Sequence, residues 1–209
     1  MKNKVNSAPD TNKIVKAFAN SVHSYILLGI EMLLNIENGK MAERKIQNKA
    51  VPYVSAVILI SCVIDYLSKY RYGQVDKMDM HGQTLGDSKC YRKFVGEYFI
   101  KDITKSEKTY TPELVYKDIR CALTHGYSLG KNVVLSHTDK YEKYHLEQHY
   151  IDEIEQDRIV IDVFHLYYDL QYVCIKYIEE IMTESKHLKE FMFRWKTHPF
   201  IVGYSEKSI

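Results

Sequence analysis

The sequence predicts a mainly α fold, an antiparallel helical bundle of four to five helices with a small three-stranded antiparallel β-insertion before the last long helix. Apolar residues recur at three- and four-residue steps over most of the chain, which is the helical period. Capping residues and glycines punctuate these stretches, and strict alternation appears only between Lys131 and Val163. With 209 residues, 45% of them hydrophobic and 27% charged, the chain can bury a real core, and residues 1–209 read as one domain.

Met1 to Thr11 is polar and reads as a flexible N-terminus without an apolar signal segment. A first helix is expected from about Asn12 to Asn38, with Ile14, Phe18, Val22, Tyr25, Gly29, Met32, Leu33 and Ile36 inward. Asp10 or Thr11 caps its start, and Gly39 stands where a left-handed terminating residue belongs. The second helix, about Lys49 to Tyr72, opens with Pro52 in its first turn and closes on Arg71 and Gly73. It is apolar on nearly every side, which places it at the centre. Its run from Val51 to Ile64 stops at Asp65, short of the ~20 residues a membrane span needs. A polar connection, Gly73 to Gly86, leads to a third helix at about Ser88 to Ile103, with Tyr91, Phe94, Val95, Tyr98 and Phe99 inward. The fourth helix has Thr111 as cap, Pro112 in its first position, Glu113 at the positive dipole end and Gly126 as terminator.

The β-insertion, residues 131–163, reads as strands at Lys131 to Thr138, Lys143 to Ile151 and Arg158 to Val163, joined as a meander. Asp162 caps a last long helix whose stripe is Val163, Leu166, Leu170, Val173, Tyr177 and Ile181, with Asp169, Lys176, Glu180 and Glu184 facing water. Residues 186–209 form a basic and aromatic C-terminal extension. Within it, Lys186 to Lys196 suits an RNA backbone or a membrane surface. The favoured reading continues the helix, with Phe191 and Trp195 packed and the charges solvated.

A formal net charge of +2 excludes recognition of nucleic acid by overall charge, so any such site must be a local patch. The 18 tyrosines read as core and boundary residues in preference to base-stacking platforms. Cys62, Cys90, Cys121 and Cys174 form no C-x-x-C pair, which speaks against a zinc ribbon or a disulfide framework and for a reduced, cytoplasmic protein. Phosphate-loop, dinucleotide-binding and nucleophile-elbow motifs are missing, so no cofactor is expected. His145 and His149 bracket Glu147 in the wrong order for a zinc protease helix. They read as solvent-facing strand residues ~13 Å apart at about 3.3 Å per residue, and no metal site is expected.

The suggestive chemistry lies at the end of the fourth helix, in Arg120 and His125. Five positions place them ~140° apart around an ideal helix, so they share a face poorly within one subunit. Across a two-fold axis one copy's histidine can approach the other's arginine. Histidine at a helix C-terminus favours its charged form and serves as general acid or base. Arginine offers a planar fork to phosphate. Together they suit metal-free RNA cleavage with the 2′-hydroxyl as nucleophile. The alternative pairs Arg120 with an acid such as Asp65 and leaves His125 capping the last carbonyls.

The segment Tyr116 to Tyr127 resembles the R-x4-6-H signature of the HEPN superfamily, small helical proteins of prokaryotic defence and toxin–antitoxin systems. Arg120 and His125 match its two positions, and His125-Gly126-Tyr127 resembles the H-x-Y ending of one toxin branch. The resemblance implies a homodimeric, metal-independent endoribonuclease with Arg120 and His125 as catalytic pair. It also implies RNA as substrate and an antitoxin or other defence partner. Tyr127 is then a substrate contact or a site of modification by a partner nucleotidyltransferase. Cys121 follows the arginine where that family usually has Asn, Asp or His. This favours the alternative of a non-catalytic module that binds RNA, a nucleotide or a protein.

Overall fold

In the computed structural model, residues 10–34, 36–37, 40–41, 53–72, 86–99, 109–126 and 128–198 are described. Gly39, Pro52, Gly73 and Tyr127 lie outside them. Helix α1 spans Thr11–Leu34, and Asp10 caps it by accepting the Asn12 amide at 3.0 Å. Its middle, Val22–Leu27, is a π-helical turn, and this changes which face is buried. Ile14, Phe18 and Val22 are buried at four-residue steps, but the next buried residues are Leu27, Ile30 and Leu34. Tyr25 and Met32, expected inside, are 59% and 75% exposed. A π turn takes up an extra residue, so everything after Val22 is rotated from the α-helical phase.

A two-residue ladder joins β1 (Ile36–Glu37) to β2 (Lys40–Met41). Helix α2 is Tyr53–Tyr72 and α3 is Asp87–Tyr98, while α4 covers residues 112–126. Strand β3 (Val133–Ser136) and the short α5 (Asp139–Glu142) precede β4 (Gln148–Ile151) and β5 (Gln156–Asp162). Helix α6 is Val163–Thr183 and α7 is Ser185–Thr197. The protein is therefore mainly helical with a small three-stranded sheet.

Helix α2 packs against α1, α3, α4, α6 and α7 and stands at the centre of the core, as its all-round apolar character predicts. On α3, Tyr91, Phe94, Val95 and Tyr98 are buried on the expected face, with Phe99 just beyond it. Two helices, α1 and α2, are long and apolar enough to cross a membrane by length and composition. Within this fold α2 holds Asp65 and Arg71 in ion pairs with other helices.

The sheet is mixed, with order β3-β5-β4, and not the expected antiparallel meander. β5 is central, parallel to β3 and antiparallel to β4. Val160 and Ile161 are both fully buried, the mark of a strand covered on two faces and paired on two edges. The middle segment is also less extended than expected. Residues 139–142 are helical, the following turn carries Leu146 at φ 62°, and ladder geometry begins only at Gln148. His145 sits in that turn and is buried, which corrects its assignment as a solvent-facing strand residue. Asp162 caps α6 as predicted, accepting the His165 amide at 3.0 Å. All six residues of the expected α6 stripe are buried.

Candidate functional site

Helix α4 begins where the sequence places it, with Thr111 Oγ1 accepting the Leu114 amide at 3.2 Å. Its body, Leu114–Cys121, is π-helical, and Ala122–Gly126 returns to α geometry. Extended π-helical stretches are rare and concentrate at functional sites. Leu114, Val115, Ile119 and Leu123 anchor the helix in the core. Lys117, Thr124 and His125 are exposed, while Tyr116, Arg120 and Cys121 are half-buried. The two signature residues thus flank the change from π to α winding.

Arg120 is held from three sides. Its Nη2 lies 3.7 Å from Asp65 Oδ2 on α2, which realises the alternative pairing read from the sequence. Its Nη1 points at Cys121 Sγ at 3.9 Å, and its guanidinium lies 5.4 Å from the Tyr116 ring centre. Burial works against its charge, but Cys121, Asp65 and Tyr116 outweigh that and raise its pKa above the usual arginine value. Asp65 Oδ2 also takes Lys69 Nζ at 3.2 Å, whereas Asp65 Oδ1 is buried with no hydrogen-bond partner among the described residues. Both polar contacts of Arg120 are longer than a good hydrogen bond, so its five donors are only loosely engaged. The Cys62 thiol near this pair is pushed up by burial and by Asp65, while Arg120 opposes them.

His125 is exposed and has no hydrogen-bond or ion-pair partner among the described residues. No such contact joins it to Arg120 within one chain. The structure brings Arg120 to Asp65, and among the described residues it gives His125 no polar partner at the helix end.

Two buried polar clusters escaped the sequence reading. In the first, Arg71 near the end of α2 donates to Tyr98 Oη at 3.2 Å, to Glu97 Oε1 at 3.1 Å and to Glu190 Oε2. It also donates to His187 Nε2 at 2.8 Å, so that nitrogen is an acceptor, and His187 Nδ1 faces Glu180 Oε2 at 3.3 Å. Glu190 and His187 lie on α7, so this cluster fastens α7 to the rest of the molecule. Phe191 is packed as expected, but these two polar side chains are buried, contrary to the reading of a solvated face. In the second cluster, Tyr110 Oη donates to Asp169 Oδ2 at 2.6 Å and meets His145 Nε2 at 2.9 Å. The Asp162 amide donates to His145 Nδ1 at 2.9 Å. His145 is thereby the Nε2–H tautomer, and Asp169 is buried instead of facing water. A histidine or carboxylate partnered only in three dimensions has no sequence spacing to reveal it. Among the described residues no group of three or more His, Cys, Asp or Glu side chains is arranged to hold a metal ion.

Compared with family models, with curated proteins and with solved structures, the chain has no match.

Proposed function

We propose that this protein is a HEPN-like antiparallel bundle acting in the cytoplasm as a homodimeric, metal-independent endoribonuclease of a defence or toxin–antitoxin system. The observation that carries this is His125, an exposed imidazole with no partner among the described residues, one turn beyond a loosely held, partly open Arg120 on a π-distorted helix. Arg120 takes the scissile phosphate with its unsaturated fork. His125 removes the 2′-hydroxyl proton, and the oxygen attacks phosphorus to give a cyclic phosphate as the 5′-oxygen leaves and takes a proton from water. The histidine comes from a second copy, for which exposed Tyr25, Leu28 and Met32 on α1 offer apolar surface. Tyr127 remains assigned to substrate contact or modification by a partner protein.

Purified full-length protein is expected to cut RNA in the presence of EDTA, leaving cyclic phosphate ends, and His125→Ala to abolish the cutting. Activity that survives His125→Ala removes the mechanism.

A second reading, a non-catalytic RNA-, nucleotide- or protein-binding module of the same fold, is favoured by Asp65. A carboxylate against Arg120 competes with phosphate, and Cys121 adds no polar catalytic group. RNA binding without turnover in the same assay selects this reading.

A further inference from the structure

Tyr116 is the residue on which two cations converge. The Arg92 guanidinium, from α3, lies 4.0 Å from its ring centre, and Arg120 lies 5.4 Å from the same point. One ring touching both confines the two guanidiniums to within about 9.4 Å of each other. Arg92 is partly open, with 32% of its side chain exposed. Its Nε comes within 2.7 Å of Glu113 Oε1, a carboxylate that is itself 68% exposed. That approach is close but too oblique for a hydrogen bond, because Nε has no acceptor among the described residues. Both arginines are thus aimed by an aromatic face and each is checked by one acid, Glu113 for Arg92 and Asp65 for Arg120. Among the described residues, neither uses its full set of five donors.

We infer that Arg92 is a second phosphate-binding residue, forming with Arg120 a two-arginine clamp across Tyr116 for the backbone of an unpaired RNA strand. The inference rests on the RNA reading of the Arg120 site and extends it to α3. A single strand fits because its neighbouring phosphates follow one another closely along a flexible backbone and can bridge two cations at this separation. Arginine suits both positions because its planar fork meets two phosphate oxygens at once. Glu113 then holds Arg92 in place until phosphate displaces it.

The competing role for Arg92 is a surface staple between α3 and α4, and charge-neutral variants separate the two. A staple is broken alike by Arg92→Gln and by Glu113→Gln, so both would act in the same direction. A clamp makes them opposite, since Arg92→Gln removes a phosphate ligand and Glu113→Gln removes its competitor.

The test is fluorescence anisotropy of a labelled single-stranded RNA oligonucleotide with full-length protein over a series of salt concentrations. Arg92→Gln is expected to weaken binding about tenfold and to lower the slope of log affinity against log salt by about 0.7. Glu113→Gln is expected to tighten binding several-fold, and Arg92→Lys to restore affinity in part. Wild-type affinity and slope in Arg92→Gln, with Arg120→Gln weakened, overturns the clamp and spares the RNA reading. Weakening by both neutral variants selects the staple and also overturns it. Wild-type protein that binds no RNA removes the RNA reading, and the clamp falls with it.

Discussion

Replacing Arg71 with methionine takes the cation out of a buried cluster while keeping an unbranched side chain. Arg71 is 8% exposed, and the two carboxylates it holds differ in their access to water. Glu97 is 36% exposed and can hydrate when the guanidinium leaves, whereas Glu190 is 11% exposed and cannot. His187 and Tyr98 each lose a donor at the same time, while Tyr98 keeps the bond it donates to Glu180. Removing one member of a buried ion pair costs about 3–5 kcal/mol, most of it from the charge left behind. At roughly 2–4 °C per kcal/mol for a chain of this size, the unfolding midpoint should fall by about 10 °C. The assay is thermal unfolding followed by circular dichroism at neutral pH, with urea unfolding as a check that both transitions report the same event. Because the damage is a buried carboxylate deprived of the Arg71 cation, Arg71→Met combined with Glu190→Leu should recover part of the loss, a coupling that a double-mutant cycle measures. A single variant that unfolds within about 2 °C of the parent, or a double variant no better than the single one, refutes this reasoning.

Other consequences follow from the loop after α4 and from the α6 cap. The Gly130 amide donates to Asp118 O at 2.8 Å, and a Cβ at Gly130 would meet Asp118 Cβ and Cγ, both at 2.7 Å. Gly130→Ala is therefore expected to cost about 1–3 kcal/mol in urea unfolding by overpacking, and an unchanged midpoint contradicts the contact. His165 Nδ1 lies 3.0 Å from Asp162 Oδ1, and that bond, partly opposed by burial, raises the histidine pKa. A raised folded-state pKa adds stability below the unfolded value of about 6.5 and loses it as pH climbs through the folded one. As pH rises from about 6.5 through the raised folded-state value, the parent should lose stability that His165→Asn does not lose, and parallel pH profiles for the two proteins exclude the effect.

Legibility from sequence tracks how local each cause is. Thr111 and Asp162 were readable as caps because the bonds they make span three residues. The α6 stripe was readable because that helix keeps α geometry from Val163 to Thr183. The inner face of α1 was half readable, since hydrophobic spacing assumes one period and the π turn at Val22–Leu27 breaks it. Strand order was hidden because alternation in β5 marks only one face and says nothing of the parallel pairing of Val160 and Ile161 with Val134 and Leu135 of β3. Arg71 read as a helix-ending charge, and nothing near it in sequence reveals Glu190, 119 positions away. At the candidate site the motif named Arg120 and His125, and Asp65 was foreseen as an acid partner for the arginine. The role of Arg92 was not legible, because it meets the site only through the packing of α3 on α4 around Tyr116.

The most direct test of the proposed chemistry compares two oligonucleotides of one sequence, one all-ribose and one lacking the 2′-hydroxyl at the mapped cut. Both are incubated with full-length protein without metal, and the products are separated by length and end group. Cleavage of the ribose strand alone, with a cyclic phosphate at the new end, is the outcome expected from Arg120 and His125. Cutting of the deoxy position at a similar rate, or no cutting of either strand, contradicts it.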